Sequence, residues 1–189
     1  MSLHLILGPM FSGKTSKLLE IYEQCVLSNI SVIVINHSSD VRYSDNMLST
    51  HDKKMIPCIF SNTLYELLND NHIHKANVLA SKVILINEGQ FFIDLYDWTK
   101  EMVEGHNKKL QICGLDGDSN RQKFGQMLDL IPLCDKVIKL RSLCAICKDG
   151  TKAPFTLRTI YSNEQVLIGS EDSYKPVCRR CYIQYTTKI

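Results

Sequence analysis

The sequence predicts an α/β fold with a mainly parallel sheet, followed by a small domain of different character. Short apolar runs alternate with segments of helical periodicity, as in chains built from repeated β-α-β units. The runs are continuously apolar, which is typical of parallel strands buried on both faces. Beyond about residue 142 the pattern breaks into short, turn-rich pieces bracketed by cysteines. We therefore expect one domain over 1–142 and a second over 143–189.

The predicted strands and helices follow one another in a regular order. Strands are expected at 3–7, 31–35, 82–86, 110–113 and 137–140, and helices at 15–27, 64–68 and 95–103. The stretch 36–54 is rich in Ser, Asp and Asn without a period, which predicts a long loop. Helices between successive strands are the connections that a parallel sheet requires.

Composition restricts the class of protein. The 189 residues are 44% hydrophobic and 22% charged, as in ordinary soluble proteins, which excludes a disordered or fibrous chain. No apolar run approaches the ~18–20 residues of a membrane-spanning helix. The first apolar run has no basic region ahead of it, so we expect a cytoplasmic protein without a secretory signal. Eight cysteines in such a chain favour metal ligands or free thiols over disulfides.

A phosphate-binding motif follows the first predicted strand. It fits the pattern G-x-x-x-x-G-K-[ST] and consists of Gly8, Pro9, Met10, Phe11, Ser12, Gly13, Lys14 and Thr15. Such a loop points backbone N–H groups at phosphate oxygens, and the start of the following helix adds partial positive charge. Lys14 is predicted to contact the terminal phosphates and the Thr15 hydroxyl to coordinate Mg²⁺. A glycine turn before an ordinary helix is the simpler alternative.

Polar residues follow the predicted strand 82–86. In proteins with this phosphate loop, that strand end normally carries an aspartate for Mg²⁺. Here Asn87 keeps an acceptor oxygen but lacks the charge, and Glu88 is the only carboxylate of the turn. A carboxylate near the γ-phosphate is suited to orient or deprotonate an attacking hydroxyl, although both residues could simply form a turn. The loop 114–125 is either part of the ligand crevice or a plain connector. The same two interpretations apply to Asp40 and Arg42, which lie in the long loop after the second predicted strand.

Two cysteine pairs lie in the second predicted domain: Cys144 with Cys147, and Cys178 with Cys181. Two Cys-x-x-Cys pairs complete a closed four-sulfur zinc site, which explains them better than redox chemistry does. Residues 136–189 carry 10 basic and 4 acidic side chains, against 12 and 16 in 1–135. Zinc thiolates need basic neighbours, which would explain this excess of basic side chains. A nucleic-acid-binding patch would also explain it. A P-loop ATPase with a zinc-ribbon, nucleic-acid-binding appendage therefore stays open as the alternative function.

The motifs together resemble the type II thymidine kinases. The resemblance covers nearly the whole chain in order, through the phosphate loop, Asp40-Val41-Arg42-Tyr43, Thr50-His51-Asp52, Glu88-Gly89-Gln90-Phe91-Phe92, Gly114-Leu115-Asp116-Gly117, Phe124-Gly125 and the paired cysteines. It implies a P-loop domain plus a small zinc-binding lasso domain. It also implies transfer of the ATP γ-phosphate to the 5′-hydroxyl of deoxythymidine, with Mg²⁺, a structural Zn²⁺ and a homotetramer. The lasso segment, residues 148–177, would close over the nucleoside, and neither a membrane nor nucleic acid is an expected partner.

The same resemblance implies roles for individual residues. Glu88 would be the general base, Arg42 would join the phosphate loop in binding phosphate, and Thr15, Asp40 and Asn87 would hold Mg²⁺. The residues expected around the nucleoside are Met10, Phe91, Leu115, Phe124, Thr156, Leu167, Ile168, Gly169 and Tyr174. Two positions depart from the family, which usually has an aspartate in place of Asn87 and an aromatic residue in place of Ser119.

Overall fold

The first part of the chain alternates strands with helices. The computed structural model describes residues 1–40, 47–49, 54–160, 165 and 173–187. In order, the elements are β1 (Ser2–Leu7), α1 (Lys14–Leu27), β2 (Val32–His37), β3 (Met47–Ser49), β4 (Met55–Pro57), β5 (Ile59–Ser61), a 3-10 turn (Tyr65–Leu68), α2 (Lys75–Ala80), β6 (Val83–Ile86), a second 3-10 turn (Gly89–Phe91), α3 (Leu95–Lys100), a π-helical turn (Glu101–Gly105), β7 (Lys109–Gly114), a third 3-10 turn (Ile131–Leu133) and β8 (Lys136–Lys139).

Six of these strands form one sheet in the order β5-β2-β6-β7-β1-β8. Every neighbouring pair in it is parallel, which confirms the predicted fold class. Because all six strands run the same way, their carboxyl ends meet at one edge of the sheet. In open parallel sheets this edge is where ligands bind.

Apolar side chains cover both faces of the sheet. On β1, Leu3, Leu5 and Leu7 pack on one face with Trp98 of α3, while Ile6 points to the other face and packs with Leu18 of α1. All are almost completely buried. The two-sided burial explains why the strands are continuously apolar in sequence.

The structure corrects the predicted elements in four places. The helix predicted over 64–68 is a short 3-10 turn, Tyr65–Leu68. The stretch predicted as a loop over 36–54 contains the end of β2 and the strand β3, which pairs with β4 in a small antiparallel ladder. The elements β4, β5 and α2 were not predicted, because three to six residues are too few to show a period. The helix predicted over 95–103 ends at Lys100 and continues as the wider π-helical turn.

The second part of the chain is small and antiparallel. It contains β9 (Ser142–Leu143), β10 (Lys152–Ala153), β11 (Phe155–Arg158), β12 (Tyr174–Val177) and α4 (Arg179–Thr186). β9 pairs with β10, and β11 pairs with β12. Four cysteines pack here with a separate apolar cluster, which includes Ala153, Leu157, Val177 and Tyr182. Across the described ranges, no helix has both the length and the apolar character needed to cross a membrane.

Candidate active site and metal centre

The phosphate loop lies at the carboxyl edge of the sheet. It leaves β1 and leads directly into α1, with Gly13 at the helix N-cap in the left-handed conformation (φ 85°). Only glycine adopts this conformation without strain, which explains the residue required here. The first turn of α1 therefore directs its N–H groups and partial positive charge into the loop.

The side chains of this loop are arranged for an anion. The Lys14 ammonium is 8% exposed and donates a hydrogen bond to the Pro9 carbonyl at 2.9 Å, so its charge is held against the loop. The Ser12 hydroxyl is buried, and no partner for it occurs within the described part of the chain. A buried polar group without a partner is costly, and a phosphate oxygen would satisfy it. These residues fit the predicted phosphate site.

Asn87 lies next to Thr15, although β7 separates β6 from β1 in the sheet. Its side chain is 1% exposed, and its Oδ1 is 3.5 Å from the Thr15 hydroxyl and 3.0 Å from the Cys113 thiol. Burial, followed by the nearby Glu88 carboxylate, raises the pKa of Cys113 to about 12, so this thiol stays protonated and donates. The Asn87 amide in turn donates to Asn36 Oδ1 at 2.9 Å. These bonds fix the amide with its oxygen facing Thr15.

Asp40 joins the same network. Asn36 Nδ2 donates to the Asp40 carboxylate at 3.0 Å, so one amide separates Asp40 from Asn87. The structure thus brings together Thr15, Asp40 and Asn87, the three residues predicted for Mg²⁺. Two acceptor oxygens and a carboxylate are ligand types that this ion prefers. The fourth residue predicted from this region, Arg42, lies outside the described residues.

Glu88 follows Asn87 and is half-buried, in the left-handed conformation (φ 53°). A non-glycine residue in this region is uncommon and often marks a functional position. Its carboxylate accepts a hydrogen bond from Gln90 Nε2 at 2.6 Å. Gln90 Oε1 in turn accepts from the Leu115 backbone N–H at 2.9 Å. Glu88 is therefore tied to the loop that follows β7.

Gln90 was missed by the sequence analysis as a functional residue. It is 3% exposed, and a side chain on Gly125 would lie 2.1 Å from its carbonyl oxygen, so only glycine permits the approach. The signal available in sequence was a polar residue two positions after Glu88, within an otherwise apolar segment. Its contact with Leu115, 25 positions along the chain, depends on the fold and could not be anticipated.

Replacing Gln90 with methionine is expected to lower kcat/KM for the nucleoside by about tenfold. The change removes the donor to Glu88 and leaves the half-buried Leu115 N–H without this partner, each a loss on the order of 1 kcal/mol. Steady-state kinetics alongside thermal unfolding measures this. Gln184→Met, at an exposed position of α4, is the matched control. Wild-type kinetics in Gln90→Met would contradict the role of this bridge.

Six of the residues predicted around the nucleoside lie in the described part of the chain. The Phe91 and Phe124 rings meet edge to face at 5.5 Å, and the Met10 N–H donates to the Thr156 hydroxyl at 3.0 Å. Met10, Phe91 and Leu115 are half-buried rather than core residues, while Phe124, Thr156 and Tyr174 are buried. Three further predicted residues lie outside the described residues: Leu167, Ile168 and Gly169.

A cleft of about 610 Å³ opens beside the phosphate loop. Its walls come from both parts of the chain: Phe11, Gly13, Ser16, Ala145, Lys148, Tyr174, Lys175 and Pro176. Clefts of ~300–1,000 Å³ are typical of small-molecule sites. A ligand here would contact the phosphate loop and the cysteine-rich part at once.

The four cysteines of the second part form one compact cluster. Their sulfurs all lie within 4.8 Å of one another, with Cys147 Sγ 3.7 Å from that of Cys178 and 3.4 Å from that of Cys181. Tetrahedral bonds of ~2.3 Å to one zinc ion would separate sulfurs by ~3.8 Å, so the cluster fits a metal. The Cys144 sulfur completes the set.

The protonation of this cluster also favours a metal. Burial raises the pKa of Cys144, but N–H groups of Cys147 and Cys178 donate to its sulfur and lower the pKa to about 6. The pKa of Cys181 is raised to about 12, first by the hydrogen bond of its thiol with the Cys147 sulfur, which favours the protonated form, and then by burial. The Arg180 guanidinium lies 3.7 Å from the Cys147 sulfur and supplies one positive charge. A cation at the centre would stabilise all four as thiolates.

These features are those of a P-loop phosphotransferase with a cysteine cluster that could hold a metal. The family model for thymidine kinase matches residues 1–182, which includes the phosphate loop, Glu88 and both cysteine pairs. Thymidine kinase a of Arabidopsis thaliana is 40% identical over 96% of this chain and 75% of its own length. The thymidine kinase of Yaba monkey tumor virus is 37% identical over 96% and 94%, and the cytosolic thymidine kinase of Gallus gallus 33% over 96% and 77%.

The chain belongs to the thymidine kinase family. Membership confirms the resemblance inferred from the motifs and supports an ATP-dependent kinase that acts on deoxythymidine. The match continues through the cysteine pairs, so the second part of the chain belongs to the kinase. The alternative of an ATPase with a nucleic-acid-binding appendage is therefore not favoured.

Proposed function

We propose that the chain transfers the γ-phosphoryl group of ATP to the 5′-hydroxyl of deoxythymidine at the carboxyl edge of the sheet, with Glu88 as general base. The observation that carries this proposal is the contact between Thr15 and Asn87, at 3.5 Å. It brings the phosphate loop against the turn that presents Glu88. A phosphoryl donor in the loop and a hydroxyl acceptor beside Glu88 would therefore meet.

The phosphate loop would bind the donor. Its backbone N–H groups, Ser12 Oγ and the Lys14 ammonium would hold the phosphates and stabilise the charge of the transition state. Mg²⁺ would be held by Thr15, Asp40 and Asn87, and when bound it neutralises charge on the phosphates. The role of Arg42 in phosphate binding rests on the family resemblance.

The acceptor would be oriented by its neighbours and activated by Glu88. The Glu88 carboxylate, held by Gln90, would accept the proton of the 5′-hydroxyl as the oxygen attacks. Phe91, Phe124 and Leu115 would form the wall that orients the nucleoside and excludes water. Orientation supplies much of the rate enhancement in phosphoryl transfer, because the protein does little covalent chemistry there.

The second part of the chain would be a zinc-anchored domain over 143–189. Its separate apolar cluster and four converging sulfurs support this division and a structural Zn²⁺. All eight cysteines are free thiols, a state that the proposed cytoplasmic location would maintain. A homotetramer rests on the family resemblance, and analytical ultracentrifugation would measure it.

Phosphate transfer from labelled ATP to a panel of nucleosides tests the proposed function. We expect the labelled monophosphate to form from deoxythymidine, with deoxyuridine, deoxycytidine and no acceptor as comparisons. ATP consumption that is independent of a nucleoside would indicate an ATPase instead. The panel also measures how strictly the base is selected, because Ser119 stands where the family usually has an aromatic residue.

Replacing Asn87 with aspartate is expected to lower the Mg²⁺ concentration needed for half-maximal activity. The new carboxylate would face the Thr15 hydroxyl, where the amide oxygen now lies, and add a negative charge around the ion. Activity measured over a Mg²⁺ titration checks this. Asn69→Asp, an exposed change of equal charge, is the control. An unchanged or higher Mg²⁺ requirement would mean that Asp40, linked through Asn36, already supplies the carboxylate.

A further inference from the structure

The loop after β7 is a closed, internally bonded unit. The Asp118 side chain is 8% exposed and accepts hydrogen bonds from the N–H groups of Asn120 and Gln122 at 2.8 and 2.9 Å. An antiparallel bridge between Gly117 and Lys123 closes its base. We call residues 115–123 the wall loop, because it connects Leu115 to Phe124. Its own hydrogen bonds tie its two sides together.

One end of the wall loop is attached to the catalytic side of the site. The Leu115 N–H donates to Gln90, and Gln90 donates to Glu88. The adjacent Asp116 pairs with Lys139 of β8 at 2.5 Å, but the Lys139 side chain is half-exposed, so solvent screening weakens the pair. Gln90 is therefore the main attachment at this end.

The middle of the wall loop is attached to the cysteine-rich part. The Tyr182 hydroxyl donates to the Ser119 carbonyl at 2.7 Å, across 63 positions of the chain. Tyr182 is 3% exposed and follows Cys181 directly in α4, and its N–H bonds the Cys178 carbonyl at 2.9 Å. The position of its hydroxyl is thus set by two of the four clustered cysteines.

A cation–π contact supports the same junction. The Arg121 guanidinium carbon lies 4.2 Å from the centre of the Tyr182 ring and 5.5 Å from that of Phe155. Arg121 has a φ of 61°, which costs a non-glycine residue on the order of 1 kcal/mol. The cation–π contact, on the order of 0.5–2 kcal/mol, offsets this cost. The wall loop therefore holds a strained residue where it meets Tyr182.

We propose that Tyr182 is a positioning residue for the nucleoside site, whose hydroxyl fixes the wall loop and so couples the metal-binding cysteines to Leu115 and Phe124. The coupling rests on the proposed function, since Leu115 and Phe124 matter only if they contact a nucleoside. A simpler role for Tyr182 is packing in the apolar cluster of the second part. The two roles differ in what the hydroxyl does, because packing needs only the ring.

Tyr182→Phe separates them, since it keeps the ring and the Arg121 contact and removes one hydrogen bond. We expect the deoxythymidine KM to rise about fivefold, the effect of one net hydrogen bond, while the ATP KM and the zinc content stay within experimental error of wild type. Tyr185→Phe, at an exposed position of the same helix, is the matched control and should change neither KM. An unchanged deoxythymidine KM, or equal rises for both substrates with loss of zinc, would overturn the proposal.

Hydrogen exchange provides a readout that does not depend on activity. We expect the amides of Asn120 and Gln122 to exchange faster in Tyr182→Phe, while amides of α1 exchange as in wild type. Unchanged exchange in the wall loop overturns the coupling even if the kinetics change. If the wild type does not phosphorylate deoxythymidine but exchange responds as stated, the proposed function fails and the attachment of the loop stands.

Discussion

Replacing Glu88 with glutamine is expected to lower the rate of phosphoryl transfer by about 10²–10⁴-fold, the usual effect of losing a general base. Nucleoside binding should change little, because glutamine has the same shape and its carbonyl oxygen can still accept the hydrogen bond from Gln90. The amide differs in one property, which is that it cannot take the proton of the 5′-hydroxyl. Single-turnover kinetics and equilibrium nucleoside binding measure the two effects separately.

The matched control for this variant is Glu104→Gln, at an exposed position that is not among the residues of the candidate site. It makes the same chemical change and should leave the rate unchanged. If Glu88→Gln kept activity within threefold of wild type, Glu88 would not be the base. A loss of binding that matched the loss of rate would instead make Glu88 a ligand of the nucleoside.

The sequence predicted those parts of the fold that depend on local chemistry. The five predicted strands correspond to β1, β2, β6, β7 and β8. Burial makes the inner strands apolar runs, whereas β8 is an edge strand with mostly exposed residues and was recognised from its β-branched Val137 and Ile138. The phosphate loop was predicted because its function requires fixed residues at fixed spacing. The short strands β3, β4 and β5 were missed, since three residues carry no period and their pairing is decided by the sheet beside them.

The candidate site likewise contains residues that the sequence predicted and residues that it did not. Thr15, Asn87 and Glu88 were predicted because each follows directly on a predicted strand or motif. Gln90 and Tyr182 were not, because their partners lie 25 and 63 positions away and a glutamine or tyrosine in a sequence does not indicate its partner. The contact of Asp40 with Asn36 was also unpredicted, although Asp40 itself was named from the family resemblance.

Replacing Cys178 with serine is expected to raise the deoxythymidine KM at least tenfold, with a much smaller change in the ATP KM. Zinc bound by four thiolates contributes ~10–16 kcal/mol in small zinc peptides, and here it would hold together a domain with a small apolar cluster. β12, which carries Tyr174, ends directly at Cys178. Loss of the Cys178 thiolate would free that end of the lasso segment, residues 148–177.

The ATP KM should rise slightly, since β11 is bonded to the phosphate loop through Thr156 and Met10. That single hydrogen bond is worth about 1 kcal/mol or less, whereas the nucleoside site would lose Tyr174 and the anchored wall loop together. The P-loop domain should stay folded, because its two apolar clusters contain none of the four clustered cysteines. Kinetics, metal analysis and circular dichroism measure these three results, with about one zinc per chain expected in the wild type.

Cys134→Ser is the matched control, because Cys134 lies outside the cysteine cluster and a serine hydroxyl can also donate to the Ile131 carbonyl. It should retain zinc and both KM values. If Cys178→Ser lowered the affinities for ATP and deoxythymidine together, or unfolded the whole protein, the zinc site would stabilise the entire molecule. The assignment of 148–177 as a segment that closes on the nucleoside would then be wrong. Loss of zinc with an unchanged deoxythymidine KM would equally exclude it, since nucleoside binding would then not depend on the anchored segment.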